Sequence, residues 1–252
     1  MPGPVYQHLL RARQDGPGFF WLIDPDRVDL DRPDPRWGDA HECGVTAILV
    51  GSSQDATSDF PEVLASVRRH TPLPIILFPG SASQVAPHVD AVLFLTLLSG
   101  RNAEYLVGEQ VRGTPLIRGY RIEPIPTGYI LVDTGAPTSV AERSRTQPLP
   151  EHDTDAIRDH ALCAEYMGQR FVYLEAGSGA PRPVPAGIIG TVKRSLSIPL
   201  IVGGGIRTPD ACRAVVDAGA DFVVVGTALE QDHSLKLLCA LVGATRAVAT
   251  AP

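Results

Sequence analysis

Lysine is nearly missing from this chain: Lys193 and Lys236 are the only two in 252 residues. With a formal net charge of −6, there is no broad basic surface of the kind that general nucleic-acid binding needs. Neither lysine ends an apolar run, which counts against Schiff-base chemistry. Long apolar runs are also missing. No stretch reaches about 18 residues, the length of a spanning helix, and "MPGPVYQHLLRARQDG" contains no apolar leader core. A cytoplasmic protein is expected. The four cysteines, Cys43, Cys163, Cys212 and Cys239, form no CxxC pair, so free thiols are expected rather than a zinc site or a disulfide framework. The seven histidines show no HxxxH spacing, and no GxSxG elbow, P-loop or dinucleotide fingerprint occurs.

What the chain does have is a series of short, branched, apolar runs. "FFWLI" (19–23), "AILVG" (47–51), "PIILF" (74–78), "AVLFL" (91–95), "YILVD" (129–133), "FVYLE" (171–175), "PLIVG" (199–203) and "FVVVG" (222–226) read as eight strands. They hardly alternate in polarity, as expected of strands buried on both faces. Between them lie helical stretches such as "DFPEVLASVRRH", "DTDAIRDHALCAEYMG" and "TPDACRAVVDAGA". The last has Thr208 as cap and Pro209 at the first helical position. Eight strands with helical connections predict a single α/β domain over 1–252, a (βα)8 TIM barrel with a short extension before about residue 19. The rival is an open doubly wound sheet, which has fewer strands. "DRPDPRWGD" and "RSRTQPLPEHD" read as polar, proline-bearing loops.

In a barrel the strand C-termini share one face, and the active site belongs there. The glycines of "GGGIRTPD" and "GADFVVVGT" let backbone N–H groups approach a phosphate, with a helix opening at Thr208. Their plainer use is to make tight turns. Asp24, in "LIDPDR", and Ser53 carry oxygens that suit Mg²⁺, yet Asp24 and Asp26 could equally form an ordinary turn around Pro25. Arg27 could meet a diphosphate or pair with either aspartate. Tyr173 and Tyr129 fit a core position or a ligand contact alike. Tyr105 fits an apolar wall, and with Leu98 an apolar groove.

The motifs "LIDPDR", "LVGSS", "ILFPGS", "GYILVD", "VYLEAGSGAP", "IVGGGIRTP" and "GADFVVVGT" occur in one order over roughly residues 19–230. In this the chain resembles the geranylgeranylglyceryl phosphate synthase family, whose bacterial relatives include the PcrB proteins, and within it the second of two large groups. The resemblance implies a (βα)8 prenyltransferase that joins a polyprenyl diphosphate to the free hydroxyl of sn-glycerol 1-phosphate with Mg²⁺. It places the metal at Asp24 and Ser53. It places the glycerol phosphate at Tyr173, Leu174, Glu175, Ala176, Gly177, Ser178, Gly179, Gly204, Gly205, Gly226 and Thr227. Glu175 would then orient the acceptor and take its proton. The resemblance further implies a homo-oligomer and a transient meeting with a membrane surface on product release. The chain departs from the family pattern at Trp21 and Leu22 and at Ser52. Trp21 is bulky enough to reshape the acceptor corner, so 3-phosphoglycerate stands as the alternative acceptor. A sugar-phosphate isomerase or aldolase is the alternative from another reaction class, and a non-catalytic phosphometabolite-binding relative the third.

Overall fold

The computed structural model describes residues 3–53, 57 and 59–246. Eight parallel strands carry the fold: β1 (Gly18–Ile23), β2 (Ala47–Val50), β3 (Ile75–Leu77), β4 (Ala91–Leu97), β5 (Glu123–Asp133), β7 (Phe171–Glu175), β8 (Leu200–Gly203) and β9 (Phe222–Val225). β6 is a two-residue stretch, Leu149–Pro150, paired with the end of β5. Pairing runs β4-β3-β2-β1-β9-β8-β7-β5, and β4 also pairs with β5, which closes the sheet into a barrel. The (βα)8 expectation holds, and the open sheet is excluded because no barrel strand is left at an edge.

The helices follow from local chemistry. In α3 (Phe60–His70), Phe60, Val63, Leu64 and Val67 recur at helical spacing and are buried, while Arg68, Arg69 and His70 complement the negative end. In α6 (Thr154–Tyr166), the Asp153 carboxylate accepts the Ala156 N–H at 3.0 Å. In α8 (Pro209–Asp217), the Thr208 hydroxyl accepts the Ala211 N–H at 3.2 Å, with Pro209 in the first turn as predicted.

Strand parity divides the apolar residues into two cores. Phe20, Leu49, Ile76, Leu93, Tyr173 and Phe222 fill the barrel interior. Phe20 stacks on Phe222 with centroids 4.8 Å apart, and burial of each such ring contributes about 1.5–3 kcal/mol. Val50, Val92, Val172, Leu174 and Val202 face outward beneath the helices.

Four features differ from the sequence expectation. The segment before residue 19 is a helix, α1 (Pro4–Gln14), whose Val5, Tyr6 and Leu9 plug the barrel floor. Glu123 caps it by accepting the Val5 and Tyr6 N–H groups at 2.7 and 3.1 Å. The strand expected at 129–133 begins six residues earlier, because Pro124 and Pro126 mask its start. The loop expected at "DRPDPRWGD" turns into α2 (Arg36–Cys43) after Pro35. Finally, Cys43 is disulfide-bonded to Cys239 on α10 (Leu235–Arg246), with Cα atoms 4.8 Å apart. The free-thiol expectation holds only for Cys163 and Cys212. The pair lies 196 residues apart in sequence, so only barrel closure reveals it.

Candidate active site

A cavity of about 480 Å³ opens at the C-terminal ends of the strands. Asp24, Arg27, Ser53, Tyr105, Tyr173 and Glu175 border it. So do Ser178, Gly179, Gly204, Gly205, Gly226 and Thr227. Residues from opposite ends of the sequence meet here because β1 lies beside β9, with Trp21 opposite Val225.

Parity removes some expected contacts. Leu174 and Ala176 alternate with Tyr173 and Glu175, and their side chains pack in the outer core. Gly177 does not border the cavity but supplies a backbone N–H to Glu175. Leu98 packs outward too, leaving Tyr105 without it on the groove wall. Trp21 faces away from the cavity, with the Arg36 guanidinium 5.0 Å above its ring. The departure at Trp21 therefore does not reshape the acceptor corner; Leu22 is the neighbour that faces the cavity.

Glu175 is a buried carboxyl in the cavity wall, at 5% exposed. Its Oε1 accepts the Gly177 N–H at 2.6 Å. Burial pushes its pKa up, against the Gly177 N–H and the two facing phenols of Tyr173 and Tyr129, which favour the charged form. The Tyr173 hydroxyl, buried, has no partner at hydrogen-bond geometry among the described residues. Gly204 makes room for this arrangement: its φ is +83°, and a Cβ there would collide with Glu175 Oε1.

On the other side, Asp24 caps a single 3-10 turn, Pro25–Arg27, accepting the Asp26 N–H at 3.1 Å. The turn reading is thus correct locally, and it leaves Asp24 on the cavity wall. Burial raises the Asp24 pKa, and the neighbouring Asp26 adds to the rise while Arg27 opposes it. Glu230, on α9 (Thr227–Gln231), is raised by burial and by Asp24. Asp24 and Glu230 are thus two half-buried carboxyls on one part of the cavity wall, and the charge of the first opposes ionisation of the second. Among the described residues no group of three His, Cys, Asp or Glu forms a metal cage. The donor set suits Mg²⁺, which takes few protein oxygens and fills its shell with water and phosphate. Gln84 ties the loops together here, donating to the Ser52 carbonyl at 2.9 Å and accepting the Gly80 N–H at 3.0 Å.

Another part of the cavity wall carries apolar side chains, Val85, Val92, Phe94 and Ile117 among them. Tyr105 sits in a widened π turn, Glu104–Gly108, at the entrance to α4 (Glu109–Tyr120), and its hydroxyl donates to the Arg143 carbonyl at 3.4 Å. Sequence reasoning missed Glu230 and Gln84, as well as Gln110 and Arg143, which also border the cavity. Glu230 alone had a visible cue, three residues beyond the Gly226-Thr227 turn.

A polar end lined by carboxylates and glycine loops, joined to an apolar arm, is what the motif order anticipated. The PcrB family model matches residues 9–243. This chain belongs to the PcrB family. Geranylgeranylglyceryl phosphate synthase of Thermococcus kodakarensis is 42% identical over 86% of both chains. That of Flavobacterium johnsoniae is 39% identical over 90% of this chain and 94% of its own. The (S)-3-O-geranylgeranylglyceryl phosphate synthase of Thermoplasma acidophilum, solved with sn-glycerol 1-phosphate, superposes with a TM-score of 0.88 at 35% identity, covering 98% of this chain and all of that one. Family membership carries the enzyme class with it, a prenyltransferase, and removes the isomerase, aldolase and non-catalytic readings. Among the described residues no helix is long and apolar enough to cross a membrane.

Proposed function

We propose that this PcrB-family enzyme forms an ether between a polyprenyl diphosphate, geranylgeranyl diphosphate first, and the free hydroxyl of sn-glycerol 1-phosphate, with Mg²⁺. The observation that carries the reading is Glu175: a buried carboxyl with a raised pKa, fixed by Gly177 and facing the polar end of a cavity whose other end is apolar. In this reading the acceptor phosphate rests on backbone at Gly204, Gly205, Gly226 and Thr227. Its hydroxyls meet Glu175 and the Tyr173 phenol. The acceptor oxygen attacks the prenyl C1, the C1–O bond to diphosphate breaks, and the hydroxyl proton passes to Glu175. Asp24 and Ser53 would hold Mg²⁺, which supplies neutralising charge at the leaving diphosphate. Arg27, on the same turn as Asp24, adds a second positive charge.

One observation favours 3-phosphoglycerate as a second acceptor. Arg207 borders the cavity and donates to the Gly179 carbonyl at 3.1 Å, so a cation stands close enough to receive a carboxylate. Glu175 argues the other way, since it repels that carboxylate and suits two neutral hydroxyls. The proposal also takes the enzyme as a cytoplasmic homo-oligomer that meets a membrane surface on product release. The exposed Tyr166 and Met167 at the end of α6 offer an apolar face for assembly. The deciding experiment incubates the protein with prenyl diphosphates of several lengths and each of glycerol 1-phosphate, glycerol 3-phosphate and 3-phosphoglycerate, with and without EDTA, and weighs the products by mass spectrometry. An ether of glycerol 1-phosphate that disappears reversibly in EDTA is expected. Turnover of 3-phosphoglycerate alone overturns the acceptor, and full activity in EDTA overturns the metal.

A further inference from the structure

We infer that Arg36, which borders no part of the cavity, is a positioning residue: it fixes the segment after β9 and thereby sets the affinity for the acceptor's phosphate. The inference rests on the acceptor site proposed above.

Arg36 is 4% exposed, an unusual place for a guanidinium. Four of its five N–H donors are engaged. Nε donates to Asp34 Oδ1 and Oδ2 at 3.0 and 3.1 Å, and Nη2 reaches Asp34 Oδ2 at 2.6 Å. Nη1 donates to the Asp232 carbonyl at 2.8 Å, and Nη2 to the Leu229 carbonyl at 2.8 Å. The guanidinium carbon lies over the Trp21 ring. A buried charge is tolerated only when its hydrogen bonds are satisfied in this way.

The two carbonyls decide what Arg36 is for. Leu229 lies within α9 and Asp232 is the residue that ends it. α9 is five residues long and buries only Ala228 and Leu229, too little to hold its own place. Its opening residues, Gly226 and Thr227, and its Glu230 all border the cavity. A shift of this short segment therefore moves the phosphate loop and the carboxyl beside Asp24 together. α2, which carries Arg36, is anchored at its other end by the Cys43–Cys239 bond. When the guanidinium is lost, α9 is the partner free to move. Lysine does not replace it, because a point charge cannot bridge Asp34 and two carbonyls in one plane.

The test compares Arg36→Lys, Arg36→Ala and Asp34→Asn with wild type, measuring kcat, both KM values and Tm. Lys193→Met serves as control: it breaks the Lys193–Asp221 pair at the barrel floor, far from α9 in the fold. The expected result is acceptor KM raised about ten- to a hundredfold in both Arg36 variants. Donor KM and kcat at saturating acceptor change several-fold less than acceptor KM, since Glu230 lies outside the proposed metal pair of Asp24 and Ser53. Asp34→Asn shifts acceptor KM the same way but less, and stands in if the Arg36 variants do not fold. Unchanged acceptor KM, equal effects on both substrates, or the same acceptor shift in Lys193→Met at equal loss of Tm overturns the inference. Wild type making no product from glycerol 1-phosphate overturns the proposed function itself, and this inference with it.

Discussion

Replacing Glu175 with glutamine tests the chemistry and the fold at once. The amide keeps the size of the side chain and an oxygen for the Gly177 N–H, which now bonds Glu175 at 2.6 Å. It cannot accept a proton. General base catalysis is typically worth 10²–10⁴-fold, about 3–5 kcal/mol, so kcat should fall by that order with little change in acceptor KM. The wild-type pH–rate profile should have an acidic limb above the ordinary carboxylate range, because burial raises the Glu175 pKa, and the variant should lose that limb. Stability should move the opposite way. A carboxyl whose folded pKa is raised stabilises the fold fully only below its unfolded pKa, and this contribution disappears as pH rises through the folded value. At neutral pH the ionised group is therefore a cost of about 1.4 kcal/mol for each unit of the rise. Glu175→Gln should raise Tm at pH 7–8, with the gain shrinking toward pH 4. Steady-state kinetics and thermal melts across pH read both. Near-wild-type kcat, or a variant that keeps the acidic limb, refutes the base assignment. A Tm that falls equally at all pH values refutes the burial argument.

Gly204→Ala should lose at least as much kcat as Glu175→Gln and also lower Tm, since its Cβ displaces Glu175 and a φ of +83° costs a residue with a Cβ about 1–2 kcal/mol. Gly179→Ala, at φ +75° with nothing within 4 Å of its Cβ, should pay the backbone cost in Tm while keeping kcat; loss of activity there would mean that the loop itself contacts substrate by close approach. Tyr105→Ala should move donor preference toward longer prenyl chains, each added CH₂ that becomes buried being worth about 0.8 kcal/mol. An unchanged length profile in competition assays would take Tyr105 off the groove wall.

The barrel was legible because every barrel strand contains a compact apolar run, including β5 once its prolines have passed. What the sequence concealed was parity. Runs such as "FFWLI" and "FVYLE" do not alternate, so nothing in them says that Trp21 faces outward and Leu22 inward, or that Glu175 faces the cavity while Leu174 does not. Pairing settles it: Tyr129 lies opposite Tyr173, and Glu175 opposite Gly203. The glycine loops were legible because they use backbone, which has no face to mistake. Gln84 and Arg36 were not, since each acts by bonding to carbonyls distant in sequence, and a polar side chain in a loop looks the same whether it is solvated or buried.

The same parity accounts for a carboxylate at the mouth of a glycine-rich loop. Glu175 ends β7 on the inward face, and the next strand, β8, ends on Gly203, with Gly204 directly after it. Those glycines free the space that Glu175 Oε1 and the Tyr173 hydroxyl occupy, for a Cβ at Gly204 would strike the first and a Cβ at Gly203 the second. The loop composition thus serves two ends. Gly203 and Gly204 admit the acidic and phenolic groups, while the other proposed phosphate contacts, at Gly205, Gly226 and Thr227, fall farther round the barrel toward β9. A phosphate held there and a carboxylate held at β7 repel each other, so an acceptor with a phosphate at one end and hydroxyls at the other has one favourable orientation. Turning it round places phosphate against a carboxyl whose pKa burial has already raised. In the proposed reading, which end of the acceptor faces the prenyl C1 then follows from the spacing of adjacent strands.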